Sequence, residues 1–341
     1  MNVFSLFGSL FVTWTALFVL KDVASRIGLM DHPGGRKTHI NPTPVIGGLA
    51  IYLGVLFISL WTPSVLNEYG DLLAISAIIL IIGCIDDYSH MPVIVRMGAQ
   101  AIAATLMYFA AGNQLHTLGN LFGYGEIHLG ILSFPITVFA TVGVINAINM
   151  SDGLDGLSGG MVTISLAFLG AVAWQEGNTV LFTFIAILLS ALIAFLTINF
   201  RLPWKKPAIV FLGDSGSTFL GFVLAWLLIS STQGVNASAS PVIALWFIAL
   251  PLMDAIVLLI GRPLEGKSPF QPGRDHLHHI LLNMEFSNKR VVLSLYLVSL
   301  VLGFIGFFMH KQAMLDAFAF LTFIGLFLVY AIINFFIRAD K

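Results

Sequence analysis

The sequence is short of charge. Only 10% of its 341 residues are Asp, Glu, Lys or Arg while 58% are hydrophobic, against about 25% charged in a typical soluble domain. That composition excludes a water-soluble globular fold. It is also short of basic excess: sixteen Lys and Arg face seventeen Asp and Glu. The cationic surface with which nucleic-acid binders neutralise phosphates is missing, and no nucleic-acid partner is expected. A single cysteine, Cys84, lies in an apolar run, so no intrachain disulfide and no thiolate-rich metal site can be built. The first apolar run lacks the positive leader and small-residue cleavage site of a signal peptide, and reads as a retained first helix.

What the chain does have is apolar length. Runs of about 20 mostly apolar residues, long enough to cross a bilayer as a helix, recur near 2–20, 45–62, 71–87, 93–111, 131–149, 158–175, 179–198, 212–230, 241–260, 291–309 and 316–337. Lipid leaves no backbone group to water, so the expected fold is all-α: a polytopic integral membrane helical bundle of about eleven transmembrane helices, with 1–341 as a single domain. Assigning the connectors alternately puts fifteen of the sixteen basic residues on one side and Lys311 alone on the other. The positive-inside rule then sets the N-terminus outside and the C-terminus in the cytoplasm. Pro251 in the ninth run predicts a kinked or broken helix, with Asp254 either lining a groove or reaching the interface.

Most of the polar chemistry falls at the inner ends of these spans. Asp86 and Asp87 close the third span in Gly-Cys-Ile-Asp-Asp-Tyr, where carboxylates oppose the helix macrodipole. They are either a solvated helix end or a functional pair. Asn146, Asn149, Asp152 and Asp155 sit in a glycine-rich string, Asn-Ala-Ile-Asn-Met-Ser-Asp-Gly-Leu-Asp-Gly-Leu. Two carboxylates and two amides there offer oxygen ligands on a backbone able to turn tightly. Asp214, in Phe-Leu-Gly-Asp-Ser-Gly-Ser, is either an N-cap of the eighth helix or a ligand for a hard cation. The connector 261–290 carries Arg274, Asp275, His276, His278 and His279. Its Arg and His side chains suit phosphate oxygens better than the four-ligand geometry of structural zinc. Lys37 and His39 are either topology charges or an anion-binding loop. Oxygen ligands for Mg²⁺ and basic groups for phosphate on one membrane face describe phosphoryl transfer from a soluble nucleotide to a membrane-resident acceptor.

Taken in order, the Asp-Asp pair, the Asn-x-x-Asn-x-x-Asp-Gly-x-Asp-Gly-Leu string, the Gly-Asp-x-Gly-Ser element and the Arg-Asp-His-x-His-His loop resemble the polyprenyl-phosphate N-acetylhexosamine-1-phosphate transferases. The likeness is strongest to their bacterial undecaprenyl-phosphate N-acetylglucosamine-1-phosphate branch. It implies a multi-pass enzyme of the bacterial cytoplasmic membrane, with its active site on the cytoplasmic face. The implied reaction takes UDP-N-acetylglucosamine and undecaprenyl phosphate to undecaprenyl-pyrophosphoryl-N-acetylglucosamine and UMP, the first membrane step toward a surface glycan such as O antigen. By the same resemblance Asp214 and Asn149 hold Mg²⁺, for which Mn²⁺ can substitute. Asp86 and Asp87 serve the lipid phosphate; Asn146, Asp152, Asp155, Arg96, Arg274, His276, His278 and His279 serve the nucleotide sugar, and Lys37, His39 and Asp254 are additional candidates. A homodimer is implied as well. Another UDP-N-acetylhexosamine or a UDP-muramyl pentapeptide is an alternative donor. A cation-coupled transporter and an intramembrane aspartyl protease are alternative classes.

Overall fold

The computed structural model describes residues 3–33, 41–200, 208–235, 237–268, 273 and 275–339. In chain order the helices are α1 (Val3–Ile27), α2 (Gly47–Leu60), α3 (Pro63–Ser89), α4 (Val93–Phe109), α5 (Ser133–Met150), α6 (Leu157–Gln175) and α7 (Thr179–Asn199). They continue as α8 (Gly213–Ser230), α9 (Pro241–Phe247), α10 (Ala249–Leu264), α11 (Leu277–Asn283), α12 (Asn288–Lys311) and α13 (Asp316–Ala339). Two-residue strands, β1 (Met30–Asp31) and β2 (Thr43–Pro44), pair antiparallel. Lys37, His39 and Arg274 lie outside the described residues.

Among the described residues eight helices are long and apolar enough to cross a membrane, and the pair α9 and α10, bent by 88°, makes a ninth. The expected spans at 45–62 and 93–111 are shorter helices of 14 and 17 residues. At 1.5 Å per residue these reach only about 21 and 26 Å, less than a hydrocarbon core of about 30 Å. α2 is short for a local reason. Its leading residues are used in backbone pairing, with Gly47 N donating to Phe211 O at 2.9 Å and Phe211 N to Pro44 O at 2.8 Å. At its other end Pro63 already opens α3.

The break in the ninth span lies at Ile248 (φ −115°, ψ 16°) rather than at Pro251. Pro251 occupies the first turn of α10, where its missing N–H removes no intrahelical bond. The proline is therefore accommodated just after the bend and is not its site.

α8 is the centre of the bundle, packed by α3, α5 and α2, with every residue from Ser215 to Ile229 buried. Its first turn is gripped by glycines. A Cβ on Gly48 would come within 2.2 Å of Gly216 Cα, and one on Gly83 within 2.3 Å of Ser215 Cα. Only bare backbone lets α2 and α3 approach so closely. By contrast, only 11% of the apolar window of α13 is buried, against 83% for α8. At the opposite end of the bundle, segment 112–132 is tied down through Gln233 Oε1, which accepts from His116 N and Thr117 N, and through Asp316 Oδ2, which accepts from Asn120 N.

Candidate functional site

The C-terminal end of α3 meets the N-terminal end of α8, and there the adjacent carboxylates Asp86 and Asp87 take different partners. Asp87 Oδ1 accepts from Asp214 N at 2.8 Å and its Oδ2 from Ser215 N at 3.1 Å. This satisfies two amides that a helix start leaves without intrahelical partners. Gly213, at φ +81°, lets the chain turn over that carboxylate, since a Cβ there would stand 2.6 Å from Asp87 Oδ2. Asp86 is 3% exposed and is held by Arg96 Nη1 at 2.8 Å and Met91 N at 2.6 Å. The capping role open to Asp214 in the sequence thus belongs to Asp87, and Asp214 is the second residue of α8.

Released from capping, Asp214 has a side chain 40% exposed. Its Oδ1 accepts from Asn149 Nδ2 at 2.7 Å, and its Oδ2 lies 3.6 Å from Arg96 Nη1. The same Asn149 amide reaches Ser217 Oγ at 2.9 Å. One turn earlier on α5, Asn146 is directed elsewhere and donates to Gln100 Oε1 at 2.7 Å. Gln100, buried on α4, had no signal beyond being a polar residue in an apolar run. Asp86, Arg96, Gln100, Asp214 and Thr218 line one narrow crevice.

Asp152 and Asp155 lie in the turn between α5 and α6, with Gly156 at φ +80° leading into α6. Burial, and then the charges of Asp214, Asp87 and Asp155, push the Asp152 carboxyl well above the ordinary carboxylate range. Asp155 Oδ2 accepts from Ala208 N at 3.4 Å.

The described residues of segment 261–290 contain the end of α10, the whole of α11 and the start of α12. Arg262 grips Asp275 through two bonds, Nε to Oδ2 at 2.8 Å and Nη2 to Oδ1 at 2.7 Å. Burial opposes ionisation of Asp275, but the guanidinium outweighs it and holds the carboxyl down at about 2. His276 Nδ1 lies 2.8 Å from Asp254 Oδ2. Asp254 is therefore neither lipid-facing nor at a solvated interface; it is 8% exposed and paired. The His278 ring stacks on that of His276 and lies against the ring of His279. Burial first, then His279 and His276, lower the His278 imidazole to about 3, so it is neutral at pH 7.

The carboxylate and imidazole groups meet at Gly153. A Cβ on that glycine would stand 2.2 Å from His278 Nε2, so the turn bearing Asp152 and Asp155 rests on the histidine segment. Ser151, Asp254 and His278 share a second small crevice. The structure thus gathers Asp87, Asn149, Asp152, Asp214 and Arg96 near one helix start and sets His276, His278 and His279 beside them. Asn146 is turned to Gln100, and His278 is enclosed instead of projecting as a charged group. Arg262 and its pairing with Asp275 went unnoticed in the sequence, because 13 residues separate them and only folding shows the contact.

Residues 70–232, from α3 through α8, match the family described as glycosyl transferase family 4. That stretch carries Asp86, Asp87, Asn149, Asp152, Asp155 and Asp214. The chain is 36% identical over 290 residues to the undecaprenyl-phosphate alpha-N-acetylglucosaminyl 1-phosphate transferase of Yersinia pestis, covering 85% of this chain and 79% of the relative. It is 35% identical over 290 residues, with the same coverage, to the protein so named from Escherichia coli (strain K12). With the one from Haemophilus influenzae it shares 35% over 327 residues, covering 93% of this chain and 92% of the relative. Identity of this level along most of both chains, together with the match through the helices that build the acidic cluster, makes this chain a member of glycosyl transferase family 4.

Proposed function

We propose that the protein transfers N-acetylglucosamine 1-phosphate from UDP-N-acetylglucosamine to undecaprenyl phosphate. The products are undecaprenyl-pyrophosphoryl-N-acetylglucosamine and UMP. The names of relatives that align over most of their length support this reaction. The observation that carries it is geometric: Asp87, Asn149 and Asp214 meet at the start of α8, with Arg96 Nη1 3.6 Å from Asp214 Oδ2. Such a site is suited to a cation bound together with phosphate.

The donor chemistry fits Mg²⁺. The ligands on offer are carboxylate and amide oxygens, with the Asp214 side chain 40% exposed beside Asn149. Among the described residues no three His, Cys, Asp or Glu side chains stand together as a metal cluster. Mg²⁺ takes one or two protein carboxylates and completes its shell with water and phosphate. When bound, Mg²⁺ supplies neutralisation of the phosphate charges.

In the reaction an oxygen of the lipid phosphate attacks the sugar-linked phosphorus. The bond from that phosphorus to the bridging oxygen breaks, and the bridging oxygen leaves with UMP. A phosphate monoester is largely dianionic at pH 7, since its second pKa is about 6. No proton has to be removed from the nucleophile, so alignment and electrostatics dominate over base catalysis. Asp87 holds the start of α8 and thereby the position of Asp214. Arg96, bonded to Asp86 and near Asp214, is placed to meet phosphate oxygen. His276 and His279, with Asp152 and Asp155, form the nucleotide-sugar side.

The same reading keeps eleven crossings, counting the bent pair and the short helices α2 and α4, around which the bilayer would have to thin. It places the N-terminus outside and the site on the cytoplasmic face of the bacterial inner membrane. The test is UMP release by detergent-purified protein given undecaprenyl phosphate, Mg²⁺ and a panel of UDP-sugars, with lipid-free and EDTA controls. Release that needs lipid, metal and UDP-N-acetylglucosamine is expected. Release with a different sugar alone would overturn the donor, and no release from any folded preparation would overturn the reaction.

A further inference from the structure

α13 is the span least in need of polar groups. Its apolar window is 11% buried, and it lies beyond residues 70–232 that match the family. Yet Tyr330, Asn334 and Arg338 follow one another at four-residue intervals on one face. Polar side chains in a membrane helix are costly unless paired, and an anchor needs none of them. Their partners explain the placement. Tyr330 Oη donates to Asp254 Oδ1 at 2.8 Å, and Asn334, 2% exposed, lies with its Nδ2 3.4 Å from Tyr330 Oη. Arg338 Nη2 donates to the carbonyl of Asp275 at 2.7 Å.

Three consecutive residues of the histidine segment are held by this arrangement. Asp275 is fixed by Arg338 at its carbonyl and by Arg262 at its carboxylate. His276 is fixed by Asp254 at Nδ1, and Leu277 by its N–H donating to Asp254 Oδ1 at 3.1 Å. An ionised carboxylate only accepts, so Asp254 binds a protonated Nδ1 of His276 and leaves Nε2 as the ring atom available to a ligand. Asp254 accepts three bonds, and Tyr330 supplies the one that comes from outside α10 and α11.

We propose that Tyr330 and Arg338 are positioning residues for the transfer reaction. They lock Asp275, His276 and Leu277, and through them the imidazole cluster, in the orientation that receives the nucleotide sugar. The last span thereby completes the site from its periphery. The kinetic part of this inference rests on the proposed transferase reading, and its structural part does not.

The experiment compares full-length detergent-purified wild type with Tyr330→Phe, Arg338→Lys and Thr322→Val, the last removing a hydroxyl on the same helix that bonds only Phe318 O. It records KM for UDP-N-acetylglucosamine and for undecaprenyl phosphate, the melting temperature, and amide hydrogen exchange of the peptide 275–283. Losing one hydrogen bond to a charged group corresponds to about a tenfold change. Tyr330→Phe should therefore raise KM for the nucleotide sugar about tenfold and speed exchange at Leu277, with KM for the lipid phosphate and Thr322→Val unchanged and the melting temperature lowered by only the few degrees that one lost bond costs. Arg338→Lys, which keeps the charge but alters the fork geometry, should give a smaller shift of the same kind.

A drop in kcat with neither KM altered would mean a merely structural role and would overturn the proposal. If wild type releases no UMP, the transferase reading fails and exchange decides alone. Faster exchange at Leu277 in either variant then upholds the positioning role, and unchanged exchange in both overturns it. Should Tyr330→Phe not fold, KM and exchange measured on Arg338→Lys uphold or overturn the proposal in the same way.

Discussion

The two halves of the site are built on opposite electrostatic principles. On the acidic side, among the described residues, Asp86, Asp87, Asp152 and Asp214 share one guanidinium, Arg96, which already bonds Asp86. On the imidazole side each carboxylate has its own counterpart, Asp275 with Arg262 and Asp254 with His276. Among the described residues the first half carries more carboxylate than counter-charge; the second has its carboxylates paired. This contrast separates residues whose loss damages chemistry from those whose loss damages the fold.

The strongest test of the contrast is Asp214→Asn. It should cut lipid-dependent UMP release by about 10²- to 10³-fold, the order seen when one electrostatic stabiliser is removed, with the melting temperature unchanged or raised. A fall in melting temperature matching the loss of turnover would break the distinction. Gly153→Ala comes next, since its Cβ would meet His278 Nε2 at 2.2 Å and must push the two halves apart. A loss of about tenfold in activity is expected, from overpacking worth about 1–3 kcal/mol, and wild-type rates in this variant would show that the contact is not needed.

Asp275→Asn tests the balanced half. The folded carboxyl, held at about 2, stabilises the protein above the unfolded carboxylate range, and that contribution is lost as pH falls from about 4 toward 2. After allowance for its partial exposure the variant should lose about 1–2 kcal/mol at pH 7, and melting at pH 7 against pH 3 should show the difference shrinking. Asp152→Asn has the smallest effect and the opposite sign. Because the folded pKa of Asp152 is raised, its ionisation weakens the metal-free fold progressively as pH rises above the ordinary carboxylate range. With EDTA present, the variant should melt about 2 °C higher at pH 8 and show a flatter pH profile. Adding Mg²⁺ should erase the advantage.

The helices were legible because a bilayer demands long apolar runs, and the carboxylates stood out because such runs rarely end in them. What the sequence concealed depends on contacts between distant residues. Nothing around Asp87 announces that it serves a helix beginning 126 residues later. Nothing in Gly48 and Gly83 distinguishes them from glycines that face open space. Pro251 rightly announced a broken ninth span, but the break falls three residues before it, at Ile248, because proline is at home in the first turn of the helix that follows. The stripe Tyr330, Asn334 and Arg338 was readable as four-residue spacing of polar groups in an apolar span. Without Asp254 beside it, the stripe had no partner to suggest a purpose.

The bond between Asp87 and the start of α8 has a consequence for how an anion can be received. Helix N-termini are ready-made phosphate cradles, with unpaired N–H groups and a partial positive pole. Here that pole faces a carboxylate of the protein itself, which takes the N–H of Asp214 and of Ser215. The central helix of the bundle is thereby closed as a phosphate cradle and opened as a platform for Asp214. Among the described residues, a phosphate arriving at this membrane face therefore meets its positive charge at Arg96 or in a cation that enters with it, and not at the pole of the central helix.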